Sequence, residues 1–240
     1  MPSVLITGAN RGIGLAFAHS FAADGWRVHA CCRDPDGAED LAALRADMAS
    51  VVMAGADTAG AVMLHRLDVT DGSRIAGLSR ELAGEAIDVL VNNAGVMGPG
   101  TGFGEMDYDG WLPVFETNTL APMRMAEGFV EQVAKSGRKL IVNISSIMGS
   151  LGENADGGAI IYRSSKAALN MVSKSLSAEL APRGITVIVF HPGWVSTDMG
   201  GPDAAVTPGE SVEGMRAIIE RVTPNDSGRF FNFDGHEIQW

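Results

Sequence analysis

Residues 4–14 read Val4-Leu5-Ile6-Thr7-Gly8-Ala9-Asn10-Arg11-Gly12-Ile13-Gly14, and this segment predicts the architecture of the 240-residue chain. Its first three residues form a short apolar run typical of a buried strand, and an apolar helical pattern begins at Leu15. A strand, a glycine-rich turn and a helix start make a phosphate site, because glycines allow a tight turn and the first N–H groups of the helix can face a phosphate. An ordinary glycine-rich turn is the alternative, and the position directly after the first strand argues against it.

The same alternation of strand and helix continues along the chain. The predicted strands cover residues 4–7, 27–32, 62–67, 87–91, 139–144, 186–190 and 229–233. The predicted helices cover residues 12–24, 38–49, 73–83, 109–135, 160–181 and 209–221. This order predicts an α/β fold: a Rossmann-type, doubly wound, parallel seven-stranded sheet with helices on both faces and a ligand crevice at the carboxyl ends of the strands. Because no break in composition divides the chain, residues 1–240 are predicted to form a single domain.

Composition narrows the classes of partner. The formal net charge of −11, without any basic run, argues against nucleic acid and anionic membrane surfaces. No apolar stretch approaches the roughly 20 residues that span a bilayer, and Met1-Pro2-Ser3 has no basic region, so we expect no signal peptide and a cytoplasmic protein. Cys31 and Cys32 are expected to be reduced core thiols, and two cysteines without clustered histidines predict no metal site.

Tyr162 and Lys166 are four residues apart in a helical pattern, so both side chains can point into one pocket. A free tyrosine has a pKa of about 10 and is a poor acid or base at neutral pH. A nearby cation favours the phenolate, so Lys166 is expected to lower the pKa of Tyr162 toward the working range. The spacing alone is common on exposed helix faces, and it gains weight from Ser145 and Ser146 a short distance upstream.

Further motifs occur in a fixed order along the chain. They are residues 7–14, Asn92-Asn93-Ala94-Gly95, Asn118, Ser146, Tyr162 with Lys166, and Pro192-Gly193. In this combination the chain resembles the short-chain dehydrogenase/reductase family over its whole length. The interval from Ser145 to Tyr162, and the phrase Tyr-Arg-Ser-Ser-Lys-Ala-Ala-Leu-Asn at 162–170, further resemble the carbonyl reductases of the C-factor and sniffer type.

The resemblance implies four catalytic residues: Asn118, Ser146, Tyr162 and Lys166. Tyr162 would give a proton to a carbonyl during reduction and take one in the reverse direction. Lys166 would tune Tyr162 and hold the nicotinamide ribose hydroxyls, while Ser146 would hydrogen-bond the substrate oxygen. Asn118 would hold a water that links Lys166 to solvent. Ser146 lies 16 residues before Tyr162, a longer interval than the family usually has, and the extra residues at 152–158 resemble a loop insertion.

Ser146 is preferred to Ser145 because the second serine of this phrase usually carries the role in the family. Alternation along a strand would also send the two side chains to opposite faces. Whether Ser145 could substitute for Ser146 stays open. Taken alone, the serine pair would be a strand-end turn and Asn118 a polar residue inside a helix.

The resemblance also implies a bound nicotinamide cofactor. The implied cofactor-binding residues are Gly8, Asn10, Arg11, Gly12, Ile13, Gly14, Arg33, Asp68, Val69, Asn93, Ala94, Gly95, Tyr162, Lys166, Pro192, Gly193, Val195 and Thr197. Asp68 would contact the adenine ring, and a plain strand-end aspartate is an equally good interpretation of that residue. His191 is expected to be structural, because Tyr162 and Lys166 already supply the acid.

The end of the second strand predicts a preference for NADPH over NADH. In NAD-specific sites of this fold an acidic residue there binds the adenosine 2′-hydroxyl. Here the position is Cys32, followed by Arg33, with Arg11 in the glycine loop facing the same pocket. Two guanidinium groups suit a 2′-phosphate. Asp34 weighs against this hypothesis, and two solvated surface arginines are the alternative.

The favoured function is an NADPH-dependent oxidoreductase that reduces a small or medium apolar ketone or aldehyde. The alternatives are an NAD-dependent alcohol dehydrogenase and a non-catalytic nucleotide-binding signalling protein of the C-factor type. Loops at 96–110, 150–159 and 193–208 are expected to form the substrate rim, with an apolar wall at Met97, Met148, Trp194 and Met199, or simple packing of those residues. A homodimer or homotetramer through the helices near 109–135 and 160–181 is a family expectation.

Overall fold

Short apolar runs form the strands of one parallel sheet. The computed structural model describes residues 1–53 and 60–240, and its strands are β1 Ser3–Thr7, β2 Arg27–Cys32, β3 Ala61–Arg66, β4 Val89–Asn92, β5 Leu140–Ile144, β6 Thr186–His191 and β7 Phe230–Asn232. The order across the sheet is β3-β2-β1-β4-β5-β6-β7, and all neighbouring pairs are parallel. The predicted seven-stranded parallel sheet is confirmed.

Helices connect the strands and cover both faces of the sheet. They are α1 Gly12–Ala23, α2 Glu39–Met53, α3 Gly72–Glu81, α4 Tyr108–Phe115, α5 Ala121–Lys135, α6 Ile160–Glu179 and α7 Pro208–Arg221. A π-helical turn, Glu116–Leu120, joins α4 to α5, and a 3₁₀ turn, Ile147–Gly149, follows β5. None of the described helices is long and apolar enough to cross a membrane.

Successive strand residues point to opposite faces of the sheet, so each strand contributes to two cores. Val4 and Ile6 of β1 pack on one face with Phe17 of α1 and Met215 of α7. Leu5, between them, packs on the other face in the cluster that holds the apolar residues of α3 and α5. The sheet is therefore buried on both sides, as expected for a doubly wound, single-domain fold.

The long helix predicted at 109–135 is the main correction to the secondary structure. Three elements cover these residues, because the π turn at Glu116–Leu120 interrupts the helical repeat between α4 and α5. A π turn inserts an extra residue into the repeat, and a hydrophobic pattern of period 3.6 does not reveal it. The insertion turns Asn118 into the interior, where its side chain is fully buried.

The order of the strands places the ligand crevice. The chain runs outward from β1 to β2 and β3, then returns to β4 on the other side of β1 and proceeds to β7. At this reversal, the loops after β1 and β4 leave the sheet in opposite directions, and a cleft opens between them at the carboxyl edge.

Candidate active site

A cleft of about 850 Å³ lies at the carboxyl edge of the sheet. Most of the predicted cofactor-binding residues line it: Gly8, Asn10, Arg11, Gly12, Ile13, Arg33, Asp68, Val69, Asn93, Ala94, Gly95, Tyr162, Lys166, Pro192 and Thr197. The predicted cofactor-binding set omits further lining residues, among them Thr70 and Thr117, together with Val96, Ser196, Asp198 and Pro208 of the loops expected to form the substrate rim. Thr70 follows β3, and this position in the predicted topology could have identified it, whereas Thr117 lies in the π turn, which the local pattern does not reveal.

Three of the predicted cofactor-binding residues are not among the described residues that line the cleft: Gly14, Gly193 and Val195. A Cβ atom at Gly14 would overlap the Gly8 carbonyl oxygen and would lie 2.6 Å from Asn93 Nδ2. Gly193 has φ +86°, and a Cβ there would lie 2.9 Å from the Phe233 ring. Val195 is buried. These residues shape the cleft by permitting close packing.

The glycine loop leaves the start of α1 open. Within residues 1–53, the N-cap residue Arg11 makes no side-chain capping hydrogen bond, and the first turn of α1 holds no acidic residue. Gly8 and Gly12 have φ values of +64° and +53°, in the region that favours glycine. The first N–H groups of α1 are therefore available to an anion at the positive end of the helix dipole.

The residues after β4 fix the shape of this loop. Asn93 Nδ2 donates to the carbonyl oxygens of Thr7 and Gly8 at 2.9 and 3.1 Å. In return Thr7 Oγ1 accepts from the backbone N–H groups of Asn93 and Ala94 at 3.0 and 3.1 Å. The Asn92-to-Gly95 motif thus ties the end of β4 to the end of β1.

An arginine that the sequence interpretation did not select organises the end of β2. Arg66 pairs with Cys32 across β2 and β3 in the sheet register. Its guanidinium donates to the Arg33 carbonyl oxygen at 3.0 Å and forms ion pairs with Asp34 at 3.3 Å and Asp36 at 2.6 Å. The charge of Asp34 is therefore partly offset by Arg66.

Arg11 and Asp68, which also line the cleft, form contacts with neighbouring residues of the protein. Arg11 forms an ion pair of 2.6 Å with Asp198, and both side chains are exposed. Asp68 lines the cleft, and its Oδ1 also accepts from the Thr70 N–H and hydroxyl at 2.9 and 2.7 Å. The contacts with Thr70 fit a strand-end aspartate, and the adenine role of Asp68 stays a prediction.

Helix α6 brings Tyr162 and Lys166 to one buried position, as the spacing predicts. Ser146, from the turn after β5, places its side chain beside that of Tyr162 and favours the ionised form of the phenol. Lys166 Nζ lies 5.7 Å from the centre of the Tyr162 ring and donates to the Ile144 carbonyl oxygen at 2.9 Å. The structure therefore places these three predicted catalytic residues together.

The predicted lowering of the Tyr162 pKa by Lys166 is wrong for this structure. Burial raises the pKa of Tyr162 to about 12, and the Ser146 side chain opposes that shift. Burial also lowers the pKa of Lys166 to about 8. Helical spacing reports that two side chains share a face, whereas both pKa values depend on how far the fold removes them from water.

The two serines have different partners. Ser145 lines the cleft but is buried, and its Oγ donates to Asn170 Oδ1 at 2.6 Å. Ser146 Oγ faces Tyr162 and accepts from the Met148 N–H at 3.2 Å. This difference favours Ser146 over Ser145 as the partner of Tyr162.

Asn118 links the π turn to the loop after β4. Its Oδ1 accepts from the Val96 N–H at 2.9 Å, and its Nδ2 donates to the Val96 carbonyl oxygen at 2.8 Å and to Ser165 Oγ at 3.0 Å. A Cβ atom at Gly95 would lie 3.3 Å from Asn118 Oδ1 and 3.5 Å from Lys166 Nζ. Gly95 thus permits Asn118 and Lys166 to approach the same side of the cleft.

Apolar side chains rim the cleft near its catalytic end. Val96 and Met199 line it and are partly exposed, and Met97 and Trp194 are exposed on the same two loops. His191 stands apart from this group, because burial lowers its pKa to about 4 and leaves its Nδ1 without a partner among the described residues. Cys31 and Cys32 are buried free thiols, as expected, and the described residues contain no cluster suited to a metal.

Residues 2–206 match the family described as short chain dehydrogenase. This chain belongs to the short-chain dehydrogenase/reductase family. Over 154 residues it is 44% identical to the C-signal protein of Myxococcus xanthus, covering 64% of this chain and 93% of that protein. The finer resemblance to C-factor and sniffer-type proteins is confirmed by this relative and by the solved structures similar to the chain.

Two solved structures are similar to this short-chain dehydrogenase/reductase over the full chain. The NADPH-bound carbonyl reductase from chicken fatty liver has a TM-score of 0.89 and 34% identity, covering 100% of this chain and 99% of that chain. The carbonyl reductase Sniffer of D. melanogaster has a TM-score of 0.89 and 30% identity, with both chains fully covered. The chain is therefore an oxidoreductase whose structure is similar to those of carbonyl reductases.

Proposed function

We propose that this short-chain dehydrogenase/reductase is an NADPH-dependent carbonyl reductase that acts on a small or medium apolar ketone or aldehyde. The observation that carries the proposal is the buried pair of Tyr162 and Lys166 at the wall of the cleft, with the Ser146 side chain beside Tyr162. A hydroxyl pair of this kind can bind one carbonyl oxygen from two sides. The similarity to carbonyl reductases supports the same assignment.

The residues of the cleft fit a dinucleotide. The open start of α1 offers backbone N–H groups to a pyrophosphate. A side chain at position 14 would collide with Gly8 and Asn93. Because this residue is a glycine, the loop can pack closely there. When bound, NADPH supplies the hydride that reduces the carbonyl carbon.

Tyr162 would serve as the general acid. Burial keeps its hydroxyl protonated at neutral pH, and the alkoxide formed by hydride transfer, a stronger base than a phenolate, would take that proton. Ser146 would donate a second hydrogen bond to that oxygen and stabilise its developing charge.

Lys166 would hold the ribose hydroxyls and restore the proton to Tyr162. With a pKa of about 8, Lys166 can exchange a proton near neutral pH. A carboxamide oxygen accepts two hydrogen bonds, and Asn118 Oδ1 uses one for the Val96 N–H. The role of Asn118 in holding a relay water stays a prediction.

Replacement of Tyr162 by phenylalanine tests the general acid. The variant keeps the ring, so we expect an intact fold and a nearly unchanged NADPH dissociation constant, with a kcat lowered by roughly 10²–10⁴-fold. Tyr108→Phe is the matched control, because Tyr108 is the other tyrosine of the chain and is exposed. Activity of Tyr162→Phe within a few-fold of the wild type would refute the assignment.

The preference for NADPH rests on Arg33 and Arg66. Arg33 lines the cleft and its side chain is paired with no carboxylate among the described residues, while Arg66 offsets Asp34. We expect a higher kcat/KM with NADPH than with NADH. Arg33→Ala should raise the NADPH KM far more than the NADH KM, and Arg80→Ala, an exposed arginine of α3, should change neither. Equal or better kinetics with NADH would reject the preference and favour the NAD-dependent alcohol dehydrogenase.

The apolar rim supports the substrate class. Val96 and Met199 line the cleft with exposed apolar surface, and Met97 and Trp194 are exposed on the same two loops. NADPH consumption measured with a panel of small and medium ketones and aldehydes tests this class, and we expect turnover to favour the apolar members. A panel in which charged carbonyl compounds turn over fastest would contradict it.

The similarity to C-signal favours one second candidate, a nucleotide-binding signalling protein without turnover. NADPH binding with no consumption across the carbonyl panel would support that candidate. For either function we propose a homodimer or homotetramer, supported by the exposed Tyr108 and Leu112 of α4 and Met171 of α6. Light scattering during size-exclusion chromatography measures the number of subunits, and a monomer would contradict the proposal.

A further inference from the structure

The turn that carries Ser146 is held against α6. It follows β5 and continues into the 3₁₀ turn Ile147–Gly149. A Cβ atom at Gly149 would lie 2.7 Å from the Lys166 carbonyl carbon, so the turn rests directly on the backbone of the helix. Its position therefore depends on α6, the helix that also carries Tyr162.

Asn170 holds this turn at both ends. Its Oδ1 accepts from Ser145 Oγ at 2.6 Å, and its Nδ2 donates to the Gly149 carbonyl oxygen at 3.0 Å. A side-chain amide offers a donor and an acceptor at once. Because Asn170 is 4% exposed, both bonds lie in the interior.

The helix places Asn170 on the catalytic face. It lies one turn beyond Lys166 and two turns beyond Tyr162, at positions that share a side of α6. Ser146 lies inside the segment that Asn170 brackets, between Ser145 and Gly149.

We propose that Asn170 is a positioning residue that keeps Ser146 Oγ within reach of Tyr162 and of the substrate oxygen. This inference rests on the proposed roles of Ser146 and Tyr162. Loss of the amide would leave Ser145 Oγ and the Gly149 carbonyl oxygen without partners in the interior, and the turn would move to satisfy them. A displacement of about 1 Å at a reacting group can cost on the order of 10²-fold in rate.

Replacement of Asn170 by leucine tests the proposal, because leucine has a similar size and neither hydrogen-bonding group. We expect a kcat reduced by about 10- to 100-fold, with an unchanged NADPH dissociation constant. Gln132→Leu is the matched control: Gln132 is also a buried helix amide, and it donates to Ser79 of α3, away from the cleft. The control should lose stability but keep its kcat.

If Asn170→Leu does not fold, Ser145→Ala serves as the second test variant. It removes one of the two bonds and a single oxygen atom, and we expect a several-fold smaller kcat. The proposal is overturned if the kcat of Asn170→Leu lies within about two-fold of the wild type. If that variant is unfolded, the same result for Ser145→Ala overturns it.

A double-variant cycle shows whether Asn170 acts through Ser146. In a Ser146→Ala background, the kcat loss caused by Asn170→Leu should shrink to within about two-fold, since the group being positioned is gone. An undiminished loss there would overturn the proposal. The Tyr162→Phe variant distinguishes failure of the proposed function from failure of the Asn170 inference. Full activity of Tyr162→Phe would contradict the proposed function. An inactive Tyr162→Phe together with a fully active Asn170→Leu would contradict the Asn170 inference alone.

Discussion

Helices α1 and α7 pack on the same face of the sheet but begin in opposite ways. The N-cap to N3 positions read Arg11-Gly12-Ile13-Gly14 in α1 and Thr207-Pro208-Gly209-Glu210 in α7. In α7, Thr207 and Glu210 form a capping box: Thr207 Oγ1 accepts from the Glu210 N–H at 3.2 Å, and Glu210 Oε2 accepts from the Thr207 N–H at 2.8 Å. Within residues 1–53, α1 has no such cap.

The difference shows what each helix start is free to do. A capping box satisfies the first N–H groups with the helix's own side chains and stabilises the helix. An uncapped start gives up that stability and keeps its N–H groups for a ligand. The rest of α1 is anchored by α7, because Arg216 pairs with Asp24 at 2.7 Å and stacks on Phe21 at 3.8 Å. The capped helix thus supports the open one.

The largest expected effect comes from a methyl group placed in the first turn of α1. Gly14→Ala would overlap the Gly8 carbonyl oxygen, so we expect a loss of about 1–3 kcal/mol in the free energy of unfolding and weaker NADPH binding. Gly209→Ala is the control, because the nearest atom to its Cβ is Thr207 Oγ1 at 4.0 Å. Denaturant unfolding and NADPH titration measure both quantities, and a tolerated Gly14→Ala would show that the α1 loop is not closely packed.

Removal of the α7 cap should have a moderate effect on stability alone. Thr207→Ala leaves the Glu210 N–H without its partner, and we expect a loss of about 0.5–2 kcal/mol in the free energy of unfolding. Glu210→Gln is the control, since glutamine also serves in a capping box. The NADPH dissociation constant should stay unchanged in both variants, and a large increase would show that the start of α7 contributes to binding.

The smallest expected effect is the acid sensitivity of the α7 cap. Hydrogen bonds from the Thr207 side chain and backbone lower the pKa of Glu210 below its ordinary 4.5. Above that value the carboxylate is ionised in both states, and its contribution is complete; as the pH falls, the unfolded chain is protonated first and the contribution is lost.

Melting temperatures of the wild type and of Glu210→Gln, followed from pH 7 downward, measure this sensitivity. Any advantage of the wild type should hold at neutral pH and decline below about pH 4.5. A difference between the two proteins that does not change with pH would show that the cap does not depend on the charge of Glu210.

Local pattern predicted most of the elements, because strand and helix periodicities depend on neighbouring residues. The strand predicted at 27–32 matches Arg27–Cys32, and the helix predicted at 12–24 matches Gly12–Ala23 within one residue. The pattern failed at 109–135, where the π turn at Glu116–Leu120 depends on the distant contacts of Asn118 with Val96 and Ser165.

The sequence by itself determined the parallel sheet, the open glycine turn before α1 and the shared helix face of Tyr162 and Lys166. Each of these is written in short-range spacing and residue type. Only the tertiary structure decided that Ser146 faces Tyr162 while Ser145 faces Asn170, and that Arg66 offsets Asp34.

The fold likewise decided the pKa values of Tyr162 and Lys166. It buries both side chains, and burial shifts each pKa in the direction that favours the neutral form. Burial and partners from distant segments set the electrostatic environment of a group, and no local pattern encodes them.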